Sequence, residues 1–243
     1  MPQSFQYYFT IVNQLKDYQV KLESLDMKHL VDMSSWKRKN SFEFFLHFKN
    51  PNISITSEID CTHAMAVAKE KNESFFIYYI YSMLVAMNEV EEFRYRIDAQ
   101  DQVIFFDEID ITTPILLNDD GDCSIVRIPL IKDFTKFYAK AKQIIEVAKG
   151  ETESNFGVDN LNEENDPYST IFLSATPDLY FTSLVGAQEH SYGNSYPLLN
   201  VGKAVVREGK TVMPVAITIS HAFADGMHIS RFMSKTEAVL NAF

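Results

Sequence analysis

The residues best placed to do chemistry lie near the C-terminal end, where Pro214-Val-Ala-Ile-Thr-Ile-Ser220 runs into His221-Ala-Phe-Ala-Asp225-Gly226. An apolar run that stops at a histidine puts an imidazole at the rigid end of a strand, from which it can face a cleft. Imidazole is the side chain best suited to take a proton near neutral pH. Asp225 and Gly226 supply a turn and the start of a helix predicted over Met227 to Phe243. The competing reading is a packed core histidine beside a helix-capping aspartate. His-x-x-x-Asp-Gly alone does not separate the two.

The elements that must hold this segment follow from periodicity. Ile53-Ser-Ile-Thr-Ser-Glu-Ile59 alternates apolar with polar and reads as a strand, as do Val103–Phe106, Ser124–Ile128 and Thr170–Ser174. Leu199–Arg207 and Thr211–Ser220 flank Glu208-Gly-Lys210, which reads as a hairpin turn. From Thr62 to Val90 the apolar residues recur at helical spacing, with Phe76, Tyr79, Ile80, Met83, Met87 and Val90 on one face. Phe134 to Ala148 is a second amphipathic helix, and the polar, acidic stretch Gly150–Pro167 is a long surface loop. Phe5 to Leu15 has the spacing of a short amphipathic helix, and Trp36 to Phe45 is basic, then aromatic. Strands and helices mix without a strict βαβ rhythm, so the class is α+β.

Composition narrows the function. The chain has 243 residues, 46% of them hydrophobic, enough for a sizeable core. A net charge of −11 argues against a nucleic-acid binder, which needs a basic face. The most apolar stretch, Phe75 to Met87, is too short to span a bilayer and carries three tyrosines. The N-terminus lacks the basic and small-residue pattern of a secretory signal. Cys61 and Cys123 form no Cys-x-x-Cys pair, which points away from structural zinc and toward a reducing compartment. A soluble, cytoplasmic protein with no bound metal is expected.

Taken in order, the motifs resemble the chloramphenicol acetyltransferase family. They are Trp36-x-Arg38-x4-Glu43-Phe44-Phe45, Ser54-x-Thr56-Ser57-x-Ile59-Asp60, Glu92-Phe93-Arg94-x3-Asp98 and Asp107-x-x-Asp110. Then come Ser174-Ala-x-Pro177-x3-Phe181-x-Ser183 and His221-Ala-x-x-Asp225-Gly226-x-His228. Dihydrolipoyl acyltransferases and peptide-synthetase condensation domains share the last motif, but the ordered set is specific. The resemblance covers about residue 30 onward. It implies an N-terminal extension over 1–30 and a catalytic domain over 31–243, with a two-layer mixed sheet and helices on one face. It further implies a homotrimer with active sites at subunit interfaces, using acetyl-CoA as co-substrate.

By the same resemblance His221 is the general base, and Ser174 donates a hydrogen bond to the oxyanion. Arg38 and Asp225 pair to hold the loop. Phe44, Phe45, Leu116, Leu198 and Asn200 line the acceptor pocket. Lys203 and Phe76 lie by coenzyme A. The chain also departs from the family pattern. Leu116 and Gly186 stand where phenylalanine and leucine are common, and Asn200 replaces a threonine. Ser74, Asp178 and Ala204 stand for a lysine, a tryptophan and a tyrosine on the coenzyme side, and Ser220 for the first of two histidines. The expected activity is O-acetylation of chloramphenicol or a related small molecule. The alternatives are the same chemistry on another alcohol or thiol, and a non-catalytic trimeric relative.

Overall fold

The computed structural model describes residues 27–156, 166–187 and 196–243. The helical spacing at Phe5–Leu15 and the middle of the acidic loop lie outside the described residues.

The larger sheet follows the order β2 (Asn52–Asp60), β10 (Lys210–Ser220), β8 (Leu198–Gly202), β7 (Thr170–Thr176), β5 (Asp110–Leu116) and β6 (Cys123–Ile128). A short β9 (Val205–Arg207) pairs only with β10. The β5–β7 and β7–β8 pairs are parallel and the others antiparallel, so the sheet is mixed. A second, antiparallel sheet runs β1 (Lys28–Leu30), β4 (Val103–Phe106), β3 (Tyr95–Ile97). Because Lys28–Leu30 pairs with β4, the folded body reaches back at least to residue 28.

β10 organises the rest. Met213, Val215, Ile217 and Ile219 point one way into the main core, as period two requires. Pro214, Ala216, Thr218 and Ser220 point the other way. Proline has no N–H to give a ladder. Pro214 falls between the end of β9 pairing at Val212 and the start of β8 pairing at Val215. The β9–β10 turn has positive φ at both Glu208 (50°) and Gly209 (80°), the left-handed pair that matches strand twist.

The helices are α1 (Lys39–Leu46), α2 (Thr62–Glu70), α3 (Phe75–Glu89), α4 (Phe134–Ala148) and α5 (Gly226–Leu240). The helical pattern from Thr62 to Val90 is two helices, not one. Asn72 takes φ 53°, and the chain breaks between Glu70 and Phe75. α3 is buried almost all round, so its apolar residues form more than the single face expected from spacing. α3 packs against α5, and α4 against β6, which covers the main-core face of the sheet.

A smaller core decides where the chemistry sits. Phe42 of α1, Tyr95, Ile97 and Val103 of the small sheet, and Ala222 and Phe223 are buried together, with Trp36 against them. Phe223 and Ala222 follow His221 directly. The loop after β10 is thus pinned by its own apolar residues.

Candidate active site

His221 is fixed from three directions. Its backbone N–H donates to the Pro51 carbonyl (2.7 Å), and its carbonyl accepts from Arg38 Nη2 (3.0 Å). Its ring lies flat on Phe45, with centroids 3.9 Å apart and planes 14° from parallel. The Nδ1 atom is 2.9 Å from the Ala224 carbonyl oxygen, which can only accept. Nδ1 therefore carries the proton, and in the neutral ring the lone pair is on Nε2. That nitrogen makes no hydrogen bond among the described residues and is available to take a proton.

Arg38 binds the same loop with its whole fork. Its Nη1 reaches Asp225 Oδ2 at 3.1 Å, its Nε the Ala222 carbonyl at 3.0 Å, and its Nη2 the His221 carbonyl. The pairing expected from the sequence is present, but it is one hydrogen bond to the carboxylate and two to backbone carbonyls, not a bidentate bridge. Burial pushes the Asp225 carboxyl up. The hydrogen bond and the positive charge of Arg38 outweigh this and hold it below its ordinary value.

His228, the other histidine of the motif, is buried and engaged at both nitrogens. Its Nδ1 accepts from the Asp225 backbone N–H (3.1 Å), and Nε2 lies 3.2 Å from Glu92 Oε1. This caps α5 and leaves no nitrogen of His228 free to act as a base. Glu92 enters through this contact; within the sequence it was only one letter of a motif.

Ser174 belongs to a different place. It lies on β7 opposite Asn200 of β8, which lies opposite Ala216 of β10. The three share the sheet face turned away from the main core. Gly186 is close by, since a Cβ there would fall 2.6 Å from Leu198 Cδ2 and 3.4 Å from Asn200 Nδ2. Ser174, Leu198, Asn200 and Gly186 thus lie near one another on this face of the sheet. A Leu at 186 would need the space that Leu198 fills.

Sheet geometry separates the two clusters. His221 is five residues beyond Ala216, about 16 Å along the strand, and β7 is two strands from β10, about 10 Å across. Within one chain Ser174 and His221 are therefore roughly 19 Å apart. They cannot act on one substrate atom from the same subunit.

The remaining predicted residues are spread out. Phe44 (61% exposed) and Phe48 (46%) extend the aromatic patch beside Phe45. Leu116, 63% exposed, ends β5 opposite Cys123. Lys203 is exposed just after β8, its backbone N–H on the Leu179 carbonyl (2.9 Å). Phe76 lies in the first turn of α3 against Tyr79. Among the described residues no cluster of three or more His, Cys, Asp or Glu could hold a metal ion, and no helix is long and apolar enough to cross a membrane. Burial lifts the Cys61 thiol to about 12, which keeps it protonated and unreactive.

Known proteins resemble this chain in sequence and fold. The family model for chloramphenicol acetyltransferase matches residues 27–237. A chloramphenicol acetyltransferase of Clostridium butyricum is 27% identical over 219 residues, covering 88% of this chain and 95% of its own. A solved chloramphenicol acetyltransferase structure superposes with a TM-score of 0.83 at 48% identity, covering 88% of this chain and all of its own. A probable dihydrolipoamide acetyltransferase from Listeria monocytogenes shares the fold, with TM-score 0.57 and 14% identity over 85% of this chain and 92% of its own. With the family match running through nearly all of the described fold, the chain belongs to the chloramphenicol acetyltransferase family, whose members are acetyl-CoA-dependent acyltransferases.

Proposed function

We propose that this protein transfers the acetyl group of acetyl-CoA to a hydroxyl of chloramphenicol, with His221 as general base. The observation that carries this reading is the 2.9 Å contact of His221 Nδ1 with the Ala224 carbonyl oxygen, from which the tautomer follows. Nδ1–H is committed to the Ala224 carbonyl, so Nε2 can take the hydroxyl proton as that oxygen attacks the thioester carbon. Ser174 is the oxyanion donor. Among the described residues no side chain is seen bonded to it that would make it a nucleophile, and the sequence has no Gly-x-Ser-x-Gly elbow around it. When the tetrahedral intermediate collapses, the C–S bond breaks and His221 returns the proton to the leaving thiolate. Arg38 and Asp225 keep the His221 loop in position.

The separation of Ser174 from His221 supports a site built from two subunits, one giving each residue. The aromatic patch of Phe44 and Phe48 and the exposed Leu116 are surfaces such a neighbour would cover. The number three rests on the family resemblance. Phe44, Phe45, Leu116, Leu198 and Asn200 line the acceptor side in this reading, and Lys203 and Phe76 face coenzyme A. Two unpaired cysteines fit a cytoplasmic location.

The test is a thiol-release assay with acetyl-CoA and a panel of acceptors, with acetylated product identified by mass. Release in step with acetylated chloramphenicol is expected. Turnover only with other alcohols or thiols would transfer the assignment to them, and silence across a broad panel would leave a non-catalytic relative. Light scattering should give about three times the chain mass of 27.9 kDa.

A further inference from the structure

We infer that the side-chain amide of Asn200 is a second direct donor to the oxyanion, kept uncovered by Gly186. This rests on the acetyl-transfer reading above. Asn200 is only 5% exposed, yet its Nδ2 makes no hydrogen bond among the described residues. A buried amide donor without a protein partner is costly, and folded proteins rarely leave one unmade unless a water or a ligand completes the bond. Its neighbour in register is Ser174, whose Cα is about 4.8 Å away on the adjacent strand with its side chain on the same face. Two donors side by side on rigid strands are the geometry of an oxyanion hole, in which asparagine amides serve well. Gly186 supplies the clearance. A Cβ there would lie 3.4 Å from Nδ2 and 3.6 Å from Oδ1, so any side chain at 186 would close over the amide.

The step balances without an added reactant. The acceptor oxygen forms its bond to the acetyl carbon, and the carbonyl π pair moves onto oxygen. Ser174 and Asn200 donate to that oxygen while His221 holds the acceptor's proton. Reversal of the π shift expels the CoA thiolate, which takes the proton from His221. Asn200 is thus engaged in the transition state and little in the ground state, so its loss should fall on kcat.

The experiment uses the intact protein carrying Asn200→Leu or Asn200→Ser. Asn200→Leu should lower kcat about 10²-fold, with KM for acetyl-CoA and acceptor within twofold and the pH profile unmoved. Asn200→Ser, which restores a shorter donor, should recover part of the rate. A raised acceptor KM at unchanged kcat, or a kcat within twofold of the parent, overturns the proposal. Thermal melting gives an arm independent of any acceptor. Asn200→Leu should melt at or above the parent temperature, because no protein bond is lost. A fall of about 2–4 °C or more would show the amide bonded within the protein and also overturns it. If the parent acetylates no chloramphenicol, the same variants are read in the slow hydrolysis of acetyl-CoA. A drop there with no chloramphenicol turnover sinks the acceptor assignment and keeps Asn200, while an unchanged hydrolysis rate sinks Asn200.

Discussion

Around His221 nearly every polar group is taken up by backbone: Pro51, Ala222, Ala224 and His221 itself supply an amide or carbonyl to the network, and Arg38 ties it to Asp225. Around Ser174 there is no such lattice among the described residues. Serine, asparagine and glycine sit side by side on sheet strands and a crossing loop, with an amide donor left open. The difference follows from what each region must do. A base has to keep one tautomer and one orientation while it gains and loses a proton, so its loop is over-determined. Oxyanion donors must stay unsatisfied until charge appears, so rigidity there comes from the sheet and not from partners for the donors.

Disabling one region at a time separates their roles. His221→Ala should fold and lose at least about 10³-fold in kcat, because no other nitrogen with a free lone pair stands in its place. Ser174→Ala should lose about 10²–10³-fold with little change in acetyl-CoA affinity. Co-assembly of the two variants is more telling than either. If each site takes His221 from one subunit and Ser174 from its neighbour, random mixing should restore about a quarter of the parental activity. Rates of the mixture no higher than those of the separate variants would place both residues' function within one chain and contradict the sheet geometry.

The two halves were also unequally legible in the sequence. His221, Asp225 and the helix after them are local, and their roles follow from a strand end, a turn and a cap. The separation of Ser174 from His221 was not readable, because it depends on register across β7, β8 and β10, which no single segment carries. β5 was missed because Pro114 lies in its middle. The structure tolerates it since parallel pairing with β7 ends at Thr112, two residues earlier. Helix α1 was missed because Trp36–Phe45 reads as a charge cluster followed by aromatics, and only Phe42 of this helix is fully buried. The breaks at Asn72 and at Lys203-Ala204 interrupt patterns that otherwise continue through them.

Within the His221 half, Arg38 should matter more than its carboxylate. Arg38→Ala removes two bonds to carbonyls and one to Asp225 from a side chain only 14% exposed, and should cost about 3 kcal/mol of stability along with a loss of kcat. Asp225→Asn keeps an acceptor for Nη1 and should cost about 1 kcal/mol. Chemical denaturation of the two single variants and the double should return a coupling of about 0.5–1 kcal/mol. Strict additivity would mean that Arg38 holds the loop through its carbonyls alone.

The smallest effect is a matter of pH. The Asp225 carboxyl is held below its ordinary value in the folded chain, so its pairing stabilises the fold fully above the unfolded carboxylate range. That contribution is lost as pH falls through the depressed folded value. The carboxylate is 38% exposed, so solvent screens the pair and the contribution should stay below about 1 kcal/mol. Urea midpoints of the parent and Asp225→Asn should therefore differ by a small constant from pH 7 down to about pH 5 and converge below about pH 4. Other carboxylates titrate in both proteins and cancel. Asp60 is one of these. Hydrogen bonds from the Thr62 side chain and backbone, and then from Lys210, hold it at about 2, so it stays charged through most of this window. A difference that grows on acidification would mean that the Asp225 carboxyl is easier to protonate when folded, and that burial rather than Arg38 governs it.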